Sequence, residues 1–310
     1  MLDYGKGLSG SNKHLILREL SIACEARGTD ATGFSYFENE KLHIHKAPKS
    51  ARKMKFCIPS DAHFIMGHTR MTTQGSESKN YNNHPFLGMA GGEAFALAHN
   101  GVLHNDIQLR REHHLPATKV ETDSYAAVQL LEQSKTVDFA SLAQMAEKLE
   151  GTFTLTALTE DALYIIKGNN PFCLYHFPTL RIYLYASTEE ILTTALARLG
   201  LLQFQHEKVD FALGDILRID THGSRETAQF DTDKLLVAST FSCWEEYFGF
   251  PCEGDTYLDI VCDYARQMGI SEKELEVLID AGYDAMDIEE LLYEPALRQF
   301  YLSELLQECH

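Results

Sequence analysis

No stretch of the 310 residues reaches the roughly 20 consecutive apolar positions that a membrane-crossing helix requires. There is one tryptophan, no Asn-x-Ser/Thr acceptor, no C-x-x-C pair, and no signal-peptide pattern in Met1-Leu2-Asp3-Tyr4. Seven cysteines, at 24, 57, 173, 243, 252, 262 and 309, are odd in number and scattered. That usage excludes a disulfide framework and suits reduced thiols in a cytoplasmic protein. Basic residues are scarce as well. The 27 Lys and Arg against 45 Asp and Glu leave a net charge of −18, which argues against nucleic acid as a partner.

The shortage of positive charge is uneven. Residues 241–310 hold 17 acidic and 3 basic residues, so −14 of the −18 lies there. The composition shifts near residue 240, and the expected division is a main domain over 1–240 and an acidic helical tail over 241–310. What is present is ample for a packed core: 45% of residues are hydrophobic and 10% aromatic.

Along the main domain, residues 12–26 have the pattern of a helix, capped by Ser11 or Asn12 and stopped at Gly28, with Leu15, Leu20, Ala23 and Cys24 inward. Strands are expected over 31–37 and 41–46, joined by the turn Glu38-Asn39-Glu40, then over 62–70 and in the apolar run ending at His99. Helices are expected over 105–114, 122–133 and 139–149. A dense strand region follows over 152–159, 162–167, 172–176 and 182–186, then a helix over 187–197 and strands over 209–213, 215–219 and 227–230. Helices come in blocks, not one per strand, so a doubly wound parallel sheet is disfavoured and two packed sheets with helices outside fit better. In the tail, helices are expected over 255–268, 271–281, 285–292 and 295–307.

Several motifs invite a functional reading and each has a plainer one. Gly5-Lys6-Gly7-Leu8-Ser9-Gly10 has the G-x-G-x-x-G spacing, but only four residues precede it and no βαβ unit follows, so it reads as a turn before the first helix. His43 and His45 share a strand face and His113-His114 are adjacent, but with no Cys or carboxylate at ligand spacing they do not suggest a metal. Arg27 and Asp30 bracket a turn between two glycines, either as an ion pair that fixes it or as part of a site. Arg70 ends an apolar strand and leads into Thr72-Thr73-Gln74-Gly75, where ligand-binding loops tend to sit. Asn100-Gly101 taken alone is a favoured hairpin turn. Together, a guanidinium for a carboxylate (Arg70), a carboxylate for an ammonium (Asp123) and two neutral donors for an oxyanion (Asn100, Gly101) suit an amino acid whose side-chain amide is to be hydrolysed.

Read as a set, Arg27-Gly28-Thr29-Asp30-Ala31-Thr32-Gly33, Gly67-His68-Thr69-Arg70, Thr73-Gln74-Gly75, His84-Pro85, His99-Asn100-Gly101, Glu121-Thr122-Asp123-Ser124, Gly168-Asn169-Asn170-Pro171 and Ala186-Ser187-Thr188-Glu189 resemble the class II glutamine amidotransferases of the N-terminal nucleophile hydrolase superfamily. The resemblance spans roughly residues 8–220 and keeps the family's order and spacing. It implies an α+β fold, a four-layer αββα sandwich. It implies that Arg70, with Thr73 and Gln74, holds the α-carboxylate of L-glutamine and that Asp123 holds its α-ammonium. Asn100 and the Gly101 amide would form the oxyanion hole, and Arg27 would support the floor of the site. Where the sugar-aminating members carry Trp and His, this chain has Met71 and Gln74. No cofactor or metal is implied.

The family's nucleophile is an N-terminal cysteine whose own α-amine is the base and which carries a thioester intermediate. Here the sequence opens Met1-Leu2-Asp3-Tyr4, and its first cysteine, Cys24, lies in the expected first helix. The expectation is that the sequence starts downstream of a Met-Cys-Gly opening, so that the chain as written binds glutamine weakly and hydrolyses nothing. The alternative is a catalytically inactive glutamine-binding or scaffolding subunit. With no synthase module after residue 240, ammonia would go to a partner protein docked through 241–310, where Trp244, Tyr247 and Phe248 stand near the start, or be released by a free glutaminase. The plainer reading of that tail is a solvated helical cap.

Overall fold

The computed structural model describes residues 1–237 and 270–283, with isolated residues at 262, 265, 266, 288, 291, 298 and 302. Two compact units divide the chain, Met1–Ala238 and Ser239–His310. The first unit begins with strand β1 (Leu2–Asp3) and helix α1 (Gly10–Ala23), then the hairpin β2 (Ala31–Glu38) and β3 (Lys41–Ala47), and β4 (Ile65–Arg70). A second hairpin, β5 (Phe86–Ala90) and β6 (Glu93–Leu103), leads to helices α2 (Asp106–Glu112), α3 (Tyr125–Glu132) and α4 (Phe139–Ala146). Strands β7 (Gly151–Leu158), β8 (Ala162–Ile166), β9 (Cys173–Phe177) and β10 (Ile182–Ala186) precede α5 (Glu189–Arg198). Strands β11 (Glu207–Val209), β12 (Asp215–Asp220) and β13 (Arg225–Gln229) and the short α6 (Asp233–Val237) finish it.

Every strand pairing is antiparallel, in a mixed α/β arrangement. One sheet has the order β13-β12-β8-β7-β6-β5; the others are β1-β10-β9-β11 and β3-β2-β4. These last two are joined where β1 meets the start of β4. Met1 N donates to Ile65 O at 2.8 Å, Ile65 N to Met1 O at 2.9 Å, and Asp3 N to His63 O at 2.8 Å.

Burial on both faces of the long strands explains their near-continuous apolar runs. Along β6, Phe95 and Leu97 point into a cluster with Ala127, Leu131 and Leu142 of α3 and α4. Ala96 and Ala98, on the opposite face, join Leu2, Met66, Leu163 and Tyr183 in a second cluster. A third cluster gathers Ile16, Leu17 and Leu20 of α1 with Leu192 and Leu196 of α5 over Phe34, Tyr175 and Leu184.

The structure departs from the sequence expectations at named places. Helix α1 starts at Gly10, capped by the Ser9 hydroxyl, which accepts the Asn12 N–H at 3.2 Å, so its inward face is turned. Leu15 is exposed, and Lys13 takes an inward position because its ammonium is satisfied by Ser60 O at 2.7 Å, Ala62 O at 2.9 Å and the Asp3 carboxylate at 3.4 Å. Strand β6 does not stop at His99; it runs through Asn100 and Gly101 to Leu103, paired throughout with β7, so Asn100-Gly101 is not a turn. The edge strand β5 has only five residues, between His84-Pro85 and Gly91-Gly92, too short for the sequence pattern to single it out. The expected strand 209–213 is instead Glu207–Val209.

In the second unit, helix α7 (Glu272–Asp280) begins with a capping box in which Ser271 and Glu274 satisfy each other's backbone N–H groups. Leu275 and Leu278 pack with Cys262, Ala265, Ile270, Ile288, Leu291 and Leu302. The expected helices 255–268, 285–292 and 295–307 fall largely outside the described residues, as do Trp244, Tyr247 and Phe248.

Candidate active site

The ends of β4 and β6 and the loops beyond them carry the candidate residues. Arg70 is the last residue of β4 and is only 5% exposed. Its Nη1 donates to Asn83 Oδ1 at 2.8 Å and its Nη2 to the carbonyl of Gln74. A guanidinium has five N–H donors, so these two bonds leave three for another acceptor. Asn83 is itself held, its Nδ2 donating to Glu77 O at 2.8 Å and Asn80 Oδ1 at 3.2 Å. Lys46 Nζ then ties the same turn through Asn83 O at 2.6 Å and Pro85 O at 3.1 Å. Burial, and after it the nearby Arg70 charge, brings Lys46 down to about 8.

Asp123 is 6% exposed and precedes α3. Its Oδ2 accepts the Leu103 N–H at 2.6 Å, which fixes it to the end of β6. Its own N–H donates to Gln74 Oε1 at 2.7 Å. Arg70 feels the Asp123, Glu77 and Asp30 carboxylates, although burial outweighs them and lowers its pKa. The structure therefore brings Arg70, Gln74 and Asp123 into one cluster. Thr73, in the same loop, is exposed.

Asn100 lies three residues before Leu103 on β6 and borders a cavity of about 110 Å³. Its carbonyl accepts from Asn170 Nδ2 at 2.8 Å, whereas its own side-chain Nδ2 is buried without a partner. Gly101 has φ +139°, and a Cβ there would lie 2.0 Å from Thr152 O and 2.7 Å from Asn170 Nδ2. Only glycine lets β6 lie this close to β7 at that point.

The cavity wall also includes His68 and Thr69 of β4, His99 of β6, Thr154 and Thr156 of β7, and Tyr185 and Ser187 from the end of β10. His68 Nε2–H donates to His99 O at 3.0 Å, and its Nδ1 is buried without a partner. The His84 ring lies 4.4 Å from the His68 ring, and burial is the first cause holding His68, His84 and His99 below the usual imidazole range, His68 at about 4. His68 and His99 line the cavity and the His84 ring lies against His68, a group of imidazoles that was missed from the sequence. The signal available was the position of each beside a motif: His68 two residues before Arg70, His84 before Pro85, His99 before Asn100.

Arg27 and Cys24 reach the cavity from the 3₁₀ turn after α1, Arg27 at an exposed position. Arg27 and Asp30 do not form the ion pair that their spacing suggested. Asp30 Oδ2 accepts the Thr72 N–H at 2.8 Å, and Asp30 N donates to Arg70 O at 3.0 Å, so it anchors the loop after β4 instead. Burial pushes the Cys24 thiol up to about 12, which keeps it protonated and a poor nucleophile. Among the described residues no group of His, Cys, Asp and Glu is arranged to hold a metal ion, and no helix is long and apolar enough to cross a membrane.

Residues 20–166 match the family model described as class-II glutamine amidotransferases. The glutamine–fructose-6-phosphate aminotransferase (isomerizing) of Bacillus licheniformis is 28% identical over 168 residues, which are 51% of this chain and 27% of that protein. The enzyme of the same name from Chlamydia muridarum is 31% identical over 156 residues, 47% of this chain and 25% of that protein. The chain thus spans about a quarter of the length of these curated relatives. Among solved structures, glutamine phosphoribosylpyrophosphate amidotransferase from B. subtilis, complexed with ADP and GMP, is similar with a TM-score of 0.55 and 20% identity, over 71% of this chain and 46% of that one. A structure titled as the allosteric regulatory enzyme of purine biosynthesis gives a TM-score of 0.58 at 20% identity, over 73% and 48%. At that identity the likeness is one of fold.

Proposed function

Over residues 20–166 the chain belongs to the class-II glutamine amidotransferases, and on that premise we propose that its first unit binds L-glutamine and is the glutaminase half of an ammonia-transfer reaction. The observation that carries the reading is the Asn100 side chain: a buried amide donor, without a partner, at the wall of a cavity. A buried donor left unpaired costs about 1–3 kcal/mol. An oxyanion forming at the substrate amide would take that donor up, together with the Gly101 N–H. Arg70, with Thr73 beside it, takes the α-carboxylate through its remaining N–H groups, and Asp123 takes the α-ammonium. Arg27 borders the floor.

In this reading the nucleophile is the thiol of an N-terminal cysteine. Its sulfur adds to the side-chain carbonyl carbon, its α-amine takes the thiol proton and returns it to the leaving nitrogen, and the C–N bond of the tetrahedral adduct breaks to release ammonia and leave a thioester. Water then releases glutamate and restores the thiol. Met1 borders the cavity, so a segment placed ahead of it would join the chain at the cavity wall. A second reading, a glutamine-binding subunit without turnover, is favoured by Cys24, whose thiol borders the cavity but is held protonated by burial.

We extend the proposal to architecture and partners. The three clusters, helices on sheet, sheet on sheet, and sheet on helices, support a four-layer αββα sandwich for residues 1–240. The acidic segment 241–310 is then a docking element for a protein that accepts the ammonia.

The test is ammonia release from L-glutamine by the chain carrying Met-Cys-Gly-Ile-Phe-Gly ahead of Met1, compared with the same chain bearing alanine for that cysteine. Turnover that depends on the cysteine and falls 10²–10³-fold in Asn100→Ala is expected, the range for loss of one oxyanion donor. Equal, background rates in both chains, with glutamine still bound, would leave only the binding-subunit reading.

A further inference from the structure

Resting on that reading of the site, we infer that Gln74 is a positioning residue that sets the distance between the two charges recognising an amino acid, and that it does so without touching the ligand. The one residue is bonded to both of them. Its carbonyl accepts Arg70 Nη2, and its side-chain Oε1 accepts the Asp123 N–H at 2.7 Å. Its side-chain acceptor is therefore already committed to the protein.

The surrounding bonds show why this residue and not its neighbours acts as the link. Arg70 is fixed on its other side by Asn83 Oδ1, and Asp123 by the Leu103 N–H. Those two anchors belong to different segments, the turn at 80–83 and the end of β6. Gln74 is the direct connection between the guanidinium and the residue bearing the carboxylate. One residue further on, Gly75 turns the chain at φ +72°, and a Cβ there would lie 3.0 Å from Asn82 Nδ2 and 3.1 Å from Glu121 Cβ. The loop is thus packed closely on 121–123. There Asn82 and Glu121 add a reciprocal pair, Asn82 Nδ2 to Glu121 Oε2 at 2.8 Å and Glu121 N to Asn82 Oδ1 at 2.9 Å. With that packing holding the loop, the Gln74 side chain is left to define the local spacing of Arg70 and Asp123.

A ligand carrying a carboxylate and an ammonium on one carbon needs the opposing charges at one fixed separation. Gln74 reads as the spacer that selects this class. Asparagine would reach one methylene less far while its carbonyl still faced Arg70. Glutamate would keep an acceptor for the Asp123 N–H but would add a second negative charge beside Asp123.

The experiment uses the 310-residue chain with Gln74→Ala, Gln74→Asn and Arg70→Ala, and two readouts. The first is amide hydrogen exchange at Asp123, which should rise at least tenfold in Gln74→Ala with little change at Leu103. The second is NMR titration with L-glutamine, with glutaramic acid, which lacks the ammonium, and with 4-aminobutanamide, which lacks the carboxylate. Gln74→Ala and Gln74→Asn should weaken L-glutamine by tenfold or more and leave both single-charge probes little changed, and an equal loss on all three would overturn the spacer role. Arg70→Ala should spare the ammonium-only probe. Loss confined to glutaramic acid would make Gln74 a direct carboxylate ligand and overturn the inference, as would unchanged exchange at Asp123. If the unsubstituted chain takes up no L-glutamine, the glutaminase reading and the selection role fall together. If the unsubstituted chain binds and Arg70→Ala does not, while Gln74→Ala binds normally, the inference fails alone.

Discussion

The Ser124 hydroxyl donates to His99 Nδ1 at 2.8 Å. The direction follows from the other end of the ring, where Nε2 lies 3.2 Å from Thr152 O. A carbonyl can only accept, so in the neutral ring Nε2 carries the proton and Nδ1 must accept. The Ser124 proton cannot serve Asp123 Oδ1, 3.3 Å away, at the same time, which leaves that oxygen available to a ligand ammonium.

Ser124→Ala should therefore leave a buried imidazole nitrogen unpaired and lower unfolding free energy by about 1–3 kcal/mol. Urea titration measures this directly. An unchanged midpoint would mean that the ring takes the other tautomer or is reached by water.

Acid should destabilise the first unit above the range where carboxylates titrate. Burial depresses the folded-state pKa of His68 to about 4 from 6.5, and His84 and His99 shift the same way. Between those values the unfolded chain binds more protons than the folded one, so stability is complete above pH 6.5 and is lost as pH falls towards 4. For His68 alone the loss is on the order of 3 kcal/mol. The slope of stability against pH from 6.5 to 4 should be shallower in His68→Gln, and an identical slope would count against a buried neutral ring.

Gly101→Ala should be far more damaging than an ordinary Gly→Ala in a strand. The new Cβ meets the Thr152 carbonyl at 2.0 Å and the residue holds φ +139°. The two strands must part by more than an ångström beside Asn100, a cost we place above about 2 kcal/mol. Circular dichroism melts would detect it, and a melting temperature within 2 °C of the parent would contradict it.

Lys13→Met removes the ammonium that faces Asp3, two side chains with no exposed surface. Asp3 keeps the Gly7 and Leu8 N–H groups at 3.2 and 3.1 Å but loses its counter-charge. The single substitution should cost about 3–5 kcal/mol, and the pair Lys13→Met with Asp3→Leu should recover much of it. A double-mutant cycle with no coupling would refute the pairing.

Element type was readable along most of the first unit because apolar periodicity is dense there. The three helices after β6 and strands β7 to β10 all fall close to their expected ranges. Lys13 shows where that logic stops: a polar side chain took an inward position because a partner elsewhere in the chain neutralised it. The path of β6 through Asn100-Gly101 was hidden for a related reason. The dipeptide's local turn preference was overruled by pairing with β7, fifty residues later. At the site, residue types pointed to Arg70 and Asp123, which the structure clusters around Gln74. The bond that commits Gln74 Oε1 and the packing of the buried imidazoles depend on contacts between segments that no local pattern carries.

Strand β1 is two residues long, yet the three-stranded and four-stranded sheets are joined through it. A phase error of one residue at this seam would rotate Leu2 out of the intersheet core and swing Asp3 in, stripping a carboxylate of its lysine in a dry environment. The alignment of the two ribbons is thereby keyed by charge as well as by backbone pairing, and a misregistered seam is penalised at its very first step.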